Sequence, residues 1–198
     1  MTGMKGVGSM KIGCVVMAAG NAARFGENKL HHTVEGKSLI LRALEAVPAD
    51  HVSPVVVVTQ YPEIATLAKE FSFTPIINAH PEWGQSHSLK LGLRAMENCD
   101  AVLFQVADQP LLRRETVVQL LDLYLRSPAS IAALSHDGVK GNPCIFPARF
   151  FDELLALEGD CGGRAVRRNH EEDVITLEVA KEELWDVDTQ ESLKQIKK

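Results

Sequence analysis

Long apolar runs, paired cysteines and a surplus of basic residues are all missing from this chain of 198 residues. No run reaches the length of a membrane span, so no membrane partner is expected. The four cysteines, Cys14, Cys99, Cys144 and Cys161, show no CxxC spacing and no flanking histidine pair, which argues against a zinc site. A disulfide framework does not suit a chain this size, and the reading is a reducing, cytoplasmic setting. Net charge is −5 and pI about 5.8, so no global basic field exists to hold nucleic acid. Two phosphate-binding signatures are also absent. GxGxxG does not occur, and the spacing of Gly20, Gly26 and Lys29 does not fit GxxxxGK[ST]. No Ser/His/Asp arrangement for nucleophilic catalysis is visible.

What remains is an ordinary globular composition, 45% hydrophobic, ample for one core. The first 20 residues imitate a signal peptide, but cleavage there would destroy the pattern that continues through Arg24, Gly26 and Lys29. Residues 1–10 are therefore read as a flexible leader and 11–198 as a single domain. Lys11–Ala18, Pro54–Thr59 and Ala101–Ala107 are continuously apolar and rich in β-branched residues, the look of strands buried on both faces. Phe73–Asn78 and Ser130–Leu134 are further strand candidates. Helical spacing covers Leu39–Val47, Pro62–Phe71, Ser88–Glu97 and Arg114–Arg126. The alternation predicts an α/β domain: three layers, a mainly parallel Rossmann-like sheet with helices on both faces. Ligands then bind outside the carboxyl ends of the strands.

Several stretches follow such ends. In "MAAGNAARFGENK" the small Ala18, Ala19 and Gly20 let a ligand approach the main chain, and Arg24 and Lys29 are candidate phosphate ligands. A tight strand-to-helix turn with surface charges reads equally well. In "VADQPLL", Asp108 is placed to hold Mg²⁺ beside phosphates, or to cap the next turn. In "DVDT", Asp186–Thr189, Asp188 offers a second carboxylate, or the N-cap of a last helix starting near Thr189. "GQSHSLKLGL" (Gly84–Leu93) is a polar turn entering a helix, with Ser88 in it; of the seven histidines only His87, also here, falls where it could serve a site. "KGNPCIFP" (Lys140–Pro147) and "GDCGGR" (Gly159–Arg164) read as glycine-shaped loops.

In order along the chain, these pieces resemble the MobA/MocA-like nucleotidyltransferases. "MAAGNAARFGENK" is similar to their LAAGxSxRxGxxK, "ADQP" to D-x-P, "SLKLGL" to SLRxGL, "GNPCIFP" to their GNP loop, "GDCGGR" to GDxGxR and "DVDT" to D-[IV]-D-T. The AAG form looks closest to the molybdenum cofactor cytidylyltransferases; guanylyltransferases typically show AGG. Departures are Ala22 for Ser, Phe25 for Met, Gln109 in place of the Met of DMP, Lys90 for Arg, "TQYPE" for a glycine turn, a shorter segment at Trp83–Gly84, and no Pro after "DVDT". They touch the acceptor side of the site.

The resemblance implies a GT-A-like, nucleotide-diphospho-sugar transferase fold and Mg²⁺-dependent transfer of a nucleotidyl group from CTP to molybdopterin. Arg24, Lys29 and Asp108 would be catalytic, and Ala18, Ala19, Gly20, Arg24, Lys29 and Ser88 would bind nucleotide. Asp108 and Asp188 would hold the metal. Asn142, Asp160, Gly162, Gly163 and Arg164 would meet the acceptor. A molybdenum hydroxylase apoenzyme is an expected partner. Two alternatives stand beside this: another acceptor (a guanylyl, sugar or isoprenoid phosphate substrate), and a non-catalytic accessory protein of such hydroxylases. A generic doubly wound domain, its motifs mere turns, is the plainest reading.

Overall fold

Three of the apolar runs build the centre of one sheet. In this computed structural model, which describes residues 10–20 and 28–196, they are β1 (Ile12–Ala18), β4 (Val55–Thr59) and β6 (Ala101–Val106). All five residues of β4 are buried, as strands covered on both faces require. β1 lies between the other two, parallel to both, from Cys14↔Val55 to Ala18↔Thr59 and from Ile12↔Ala101 to Met17↔Val106. Their carboxyl ends therefore finish level along one edge. Of the expected leader, only Met10 falls within the described residues.

The remaining elements are a hairpin, β2 (Thr33–Val34) and β3 (Lys37–Ser38), the strands β5 (Thr74–Ile77), β7 (Ile131–His136), β8 (Val139–Pro147) and β9 (Val174–Glu178), and seven helices among the described residues. These are α1 (Leu39–Glu45), α2 (Pro62–Glu70), α3 (Gln85–Arg94), α4 (Arg114–Arg126), α5 (Phe151–Ala156), α6 (Arg164–Asn169) and α7 (Gln190–Ile196). The main sheet runs β5-β4-β1-β6-β8-β7-β9, and only β8 is reversed. The expected three-layer, mainly parallel architecture is the one observed. Ile12, Cys14 and Val16 face a core shared with α1, α2 and α4. Val15 packs on the opposite face with α3, α5 and α6. α4 buries Thr116, Val117, Leu120, Leu121 and Tyr124, one helical stripe, and the Tyr124 hydroxyl donates to Pro128 O at 3.0 Å. All four cysteines are free thiols, and burial pushes Cys14 up to about 12.

Two expectations need correcting. "KGNPCIFP" is not a loop but the larger part of β8. Its second half, Cys144–Pro147, is buried and pairs with β6 from Phe104↔Cys144 to Ala101↔Pro147. Its glycine and two prolines hid the strand. Pro143 is tolerated because it falls where the β7–β8 register shifts, between Ala133↔Cys144 and Ser135↔Lys140. Because β6 pairing stops at Cys144, residues 140–143 are left at the carboxyl edge. α3 also starts earlier than its spacing suggested. Gly84 lies at its N-cap with φ +88°, and the Ser86 N–H donates to Gly159 O at 3.1 Å.

Gly92 seats α3 against the sheet. A Cβ there would lie 2.3 Å from Val15 Cγ1 and 3.2 Å from Val58 Cγ2, both in fully buried side chains. Alanine normally favours a helix by about 1 kcal/mol over glycine. Here overpacking, about 1–3 kcal/mol, outweighs that gain. Gly92→Ala is expected to destabilise by about 1 kcal/mol in urea unfolding, and a more stable variant would refute this packing.

Candidate active site

Lys29 is held in place from both sides along the chain. It opens a short 3-10 turn, Lys29–His31, in which the Asn28 side chain accepts the Leu30 N–H at 3.1 Å and Leu30 is buried in the core. Its side chain is 14% exposed, and the ammonium donates to Asp108 Oδ2 at 2.7 Å and Asp188 Oδ1 at 3.3 Å. The pairing joins residues 79 and 159 positions apart in the chain. Asp108 follows β6, whose continuation is pinned by the Ala107 N–H on Met17 O at 3.1 Å. The Val187 N–H donates to Asp108 O at 2.9 Å, stitching "DVDT" to "ADQP". Just upstream, the buried Glu183 takes Arg113 Nη2 at 2.6 Å and the Arg113 N–H at 3.3 Å.

Asp188 does not cap the last helix. Thr189 does so, its hydroxyl accepting the Ser192 N–H at 3.1 Å, which leaves the Asp188 carboxylate to Lys29. Asp186, passed over in the sequence reading, belongs to the same cluster. Its pKa is raised to about 6, by desolvation first and then by the charges of Asp108 and Asp188, while the Gln109 amide and Lys29 hold it back. The residue as a whole keeps access to solvent, which tempers the desolvation; the two neighbouring carboxylates push the same way. For Lys29, burial lowers the pKa, but Asp108 and Asp188 outweigh it and the net shift is upward.

These three carboxylates around one ammonium carry surplus negative charge. Their oxygens do not all lie within 4.8 Å of one another, so the protein offers one or two ligands rather than a closed cage. A hard divalent cation with substrate oxygens completing its shell fits that donor set.

Beside the cluster opens a cavity of about 390 Å³ lined by Met17, Ala19, Gly20, Pro81, Gly84, Gln85, Ser88, Val106, Asp108 and Asp160. A smaller hollow lined by Ala18, Lys29 and Leu30 shares Met17, Gly20 and Asp108 with it. Gln60 and Tyr61 of "TQYPE" brace the loop after β1, donating to Ala19 O at 3.1 Å and Gly20 O at 3.4 Å. The Ser88 hydroxyl accepts from Asn78 Nδ2 at 2.9 Å and keeps its own proton free to donate.

Asn142, Gly162, Gly163 and Arg164 line an adjoining recess that shares Met17, Gln85 and Val106 with the main cavity. The chain approaches its neighbours closely here, against main chain at Gly84 and against the movable Gln85 side chain at Gly162. A Cβ on Gly162 would sit 2.4 Å from Gln85 Oε1, and one on Gly84 2.5 Å from Gly159 O. Arg167, buried, donates to Gly141 O at 2.8 Å and Lys140 O at 3.0 Å and so fastens α6 to the start of β8. His87 instead packs edge-on to Trp83, ring centroids 4.8 Å apart, and does not line the cavity. Arg24 lies outside the described residues. Met17, Gln85 and Asp186 went unnoticed in the sequence; for Asp186 the doubled acid of "DVDT" was the available signal.

The MobA-like NTP transferase domain family matches residues 14–174. Purine catabolism protein PucB of Bacillus subtilis is 27% identical over 197 residues, 93% of this chain and 95% of that protein. A probable molybdenum cofactor guanylyltransferase of Aquifex aeolicus is 31% identical over 60% of this chain and 56% of its own length. Among solved structures, Rv0371c of Mycobacterium tuberculosis superimposes with a TM-score of 0.79 at 19% identity, over 95% of this chain and 97% of that one. A manganese complex of the same protein gives 0.74 at 18% identity, over 94% and 98%. The fold is thus that of the nucleotide-diphospho-sugar transferases.

Asp186 makes the cluster pH-sensitive. Its folded-state pKa lies above the ordinary 3.8, so its favourable contribution is complete below that value and is lost as pH rises through about 6. Asp186→Asn removes this dependence. In urea unfolding, the stability of wild type relative to the variant is expected to fall between pH 4 and pH 7. An unchanged difference would show that Asp186 does not feel its two neighbours.

Proposed function

The chain belongs to the MobA-like NTP transferase family, and on that premise we propose that it transfers a cytidylyl group from CTP to the phosphate of molybdopterin, releasing pyrophosphate. One observation carries the reading: the Lys29 ammonium lies against Asp108 and Asp188, at the mouth of a cavity edged by Ala18–Gly20. An acceptor phosphate oxygen attacks the α-phosphorus, a new P–O–P bridge forms, and the bond to the β-phosphate breaks with its electrons going to pyrophosphate. The nucleophile is already an anion at neutral pH and needs no strong base. The obstacle is repulsion between anions, and the remedy is positioning with positive charge.

Lys29 supplies charge at the α-phosphate, and Arg24 binds the leaving phosphates. The main chain of Ala18, Ala19 and Gly20, with the Ser88 hydroxyl, orients the nucleotide. The AAG form of this loop supports CTP over GTP. Asn142, Asp160, Gly162, Gly163 and Arg164 take the acceptor; Arg164, which has no ion pair among the described residues, meets its phosphate. Asp108 and Asp188 would hold Mg²⁺, which supplies charge neutralisation for the triphosphate and the departing pyrophosphate. That a fold neighbour was solved as a manganese complex agrees with a divalent ion in this reading. PucB, named for purine catabolism and aligned over nearly its whole length, favours an extension of this reading. In it, the product serves a molybdenum hydroxylase apoenzyme in that catabolism.

Lys29→Ala and Asp108→Ala should keep the wild-type circular dichroism and lose on the order of 10²–10³ in transfer rate, comparable to loss of an oxyanion donor. Pyrophosphate release from CTP and GTP with molybdopterin, with and without Mg²⁺, checks this. Wild-type turnover by either variant refutes the role given to that residue. Binding of CTP without release would leave a carrier in place of an enzyme.

A further inference from the structure

The Lys29 ammonium occupies the position that a divalent cation would need. It touches one oxygen of Asp108, which lines the cavity, and one of Asp188, which comes from a separate segment. Both aspartates are restrained through their own segments, Asp108 by the Val187 N–H and the Asp188 segment by the Thr189 cap. Lys29 is restrained in turn by the Asn28 cap and the buried Leu30. Among the described residues it pairs with no other acid.

Resting on the reading above, in which this edge takes a divalent cation with a nucleoside triphosphate, we propose that Lys29 excludes the cation from the nucleotide-free protein, so that metal enters only together with the triphosphate. A divalent cation held by Asp108 and Asp188 would stand next to an ammonium that, among the described residues, is ion-paired to those two carboxylates alone. At such separations like charges repel strongly, more so where the group is largely shielded from water. The triphosphate changes the balance by offering anionic oxygens to the ammonium. Lys29 then exchanges carboxylate for phosphate, and the freed carboxylates take the cation. The surplus of acid over base in the cluster makes the exchange favourable once the lysine has moved.

Mn²⁺ binding, followed by electron paramagnetic resonance of the free ion at pH 7.5, tests this without any turnover. Wild type without nucleotide should bind Mn²⁺ feebly. Lys29→Met should bind it at least about 10-fold tighter, since a unit positive charge beside the site is gone, and added Asp108→Asn should abolish the gain. Lys29→Arg, which keeps the charge, should resemble wild type. Circular dichroism confirms folding, and a rise in the melting temperature of Lys29→Met on adding Mn²⁺, absent in wild type, gives a second readout. Wild type with CTP is followed by water-proton relaxation enhancement, which separates a ternary complex from Mn²⁺–CTP in solution. If Lys29→Met binds no tighter than wild type while the ternary complex forms, the exclusion by Lys29 is refuted and the proposed function stands. If no form binds Mn²⁺ under any condition, both are refuted.

Discussion

Charge balance at one edge of the sheet is the constraint on which this structure turns. Three aspartates and one lysine are brought together from the beginning, middle and end of the chain. None of the contributing segments could hold such a charge alone. Each is therefore fastened by uncharged means: a capped turn for Lys29, a parallel ladder for Asp108, a backbone hydrogen bond and a threonine cap for the "DVDT" segment. Lys29 pays back part of the repulsion among the acids, and its raised pKa is the measure of that. The remainder is an electrostatic deficit suited to a cationic ligand.

Around that edge the loops are set by exclusion of volume as much as by attraction. Gly84 and Gly162 each lie where a methyl group would strike a neighbour, the first against the main chain at Gly159, the second against the Gln85 amide. The Ser86 N–H, donating to Gly159 O, ties the start of α3 to the loop before α6. The reversed strand β8 then brings Asn142 alongside, and Arg167 fastens the join through two carbonyls. The main cavity and the recess beside it thus share walls, Met17, Gln85 and Val106.

The centre of the sheet was legible because continuous apolarity is a strong signal: β1, β4 and β6 fall within one residue of their expected limits. α4 was legible from its stripe, with the same ends. β8 was not, because Gly141, Pro143 and Pro147 outweighed the apolar residues between them, and a register shift that excuses a proline cannot be read from composition. β9 and the helices α5 and α6 were too short or too polar to announce themselves. At the site, the resemblance led to Lys29, Asp108 and Asp188, and the structure brings these three together. Asp186 was hidden for a physical reason. Its nearness to Asp188 shows in the doubled acid of "DVDT", but its nearness to Asp108 is set by the fold and leaves no local mark in a sequence.

The wide separation of the ion-pairing residues along the chain bears on biosynthesis. As the protein emerges from a ribosome, the core strands β1, β4 and β6 are complete well before the acid at position 188 is translated. Through that interval the nascent chain carries Lys29 and Asp108 but not yet Asp188. The ion pairs of Lys29 are therefore completed only after the segment carrying Asp188 has been made, and a chain translated short of it differs in charge at this edge from the folded domain.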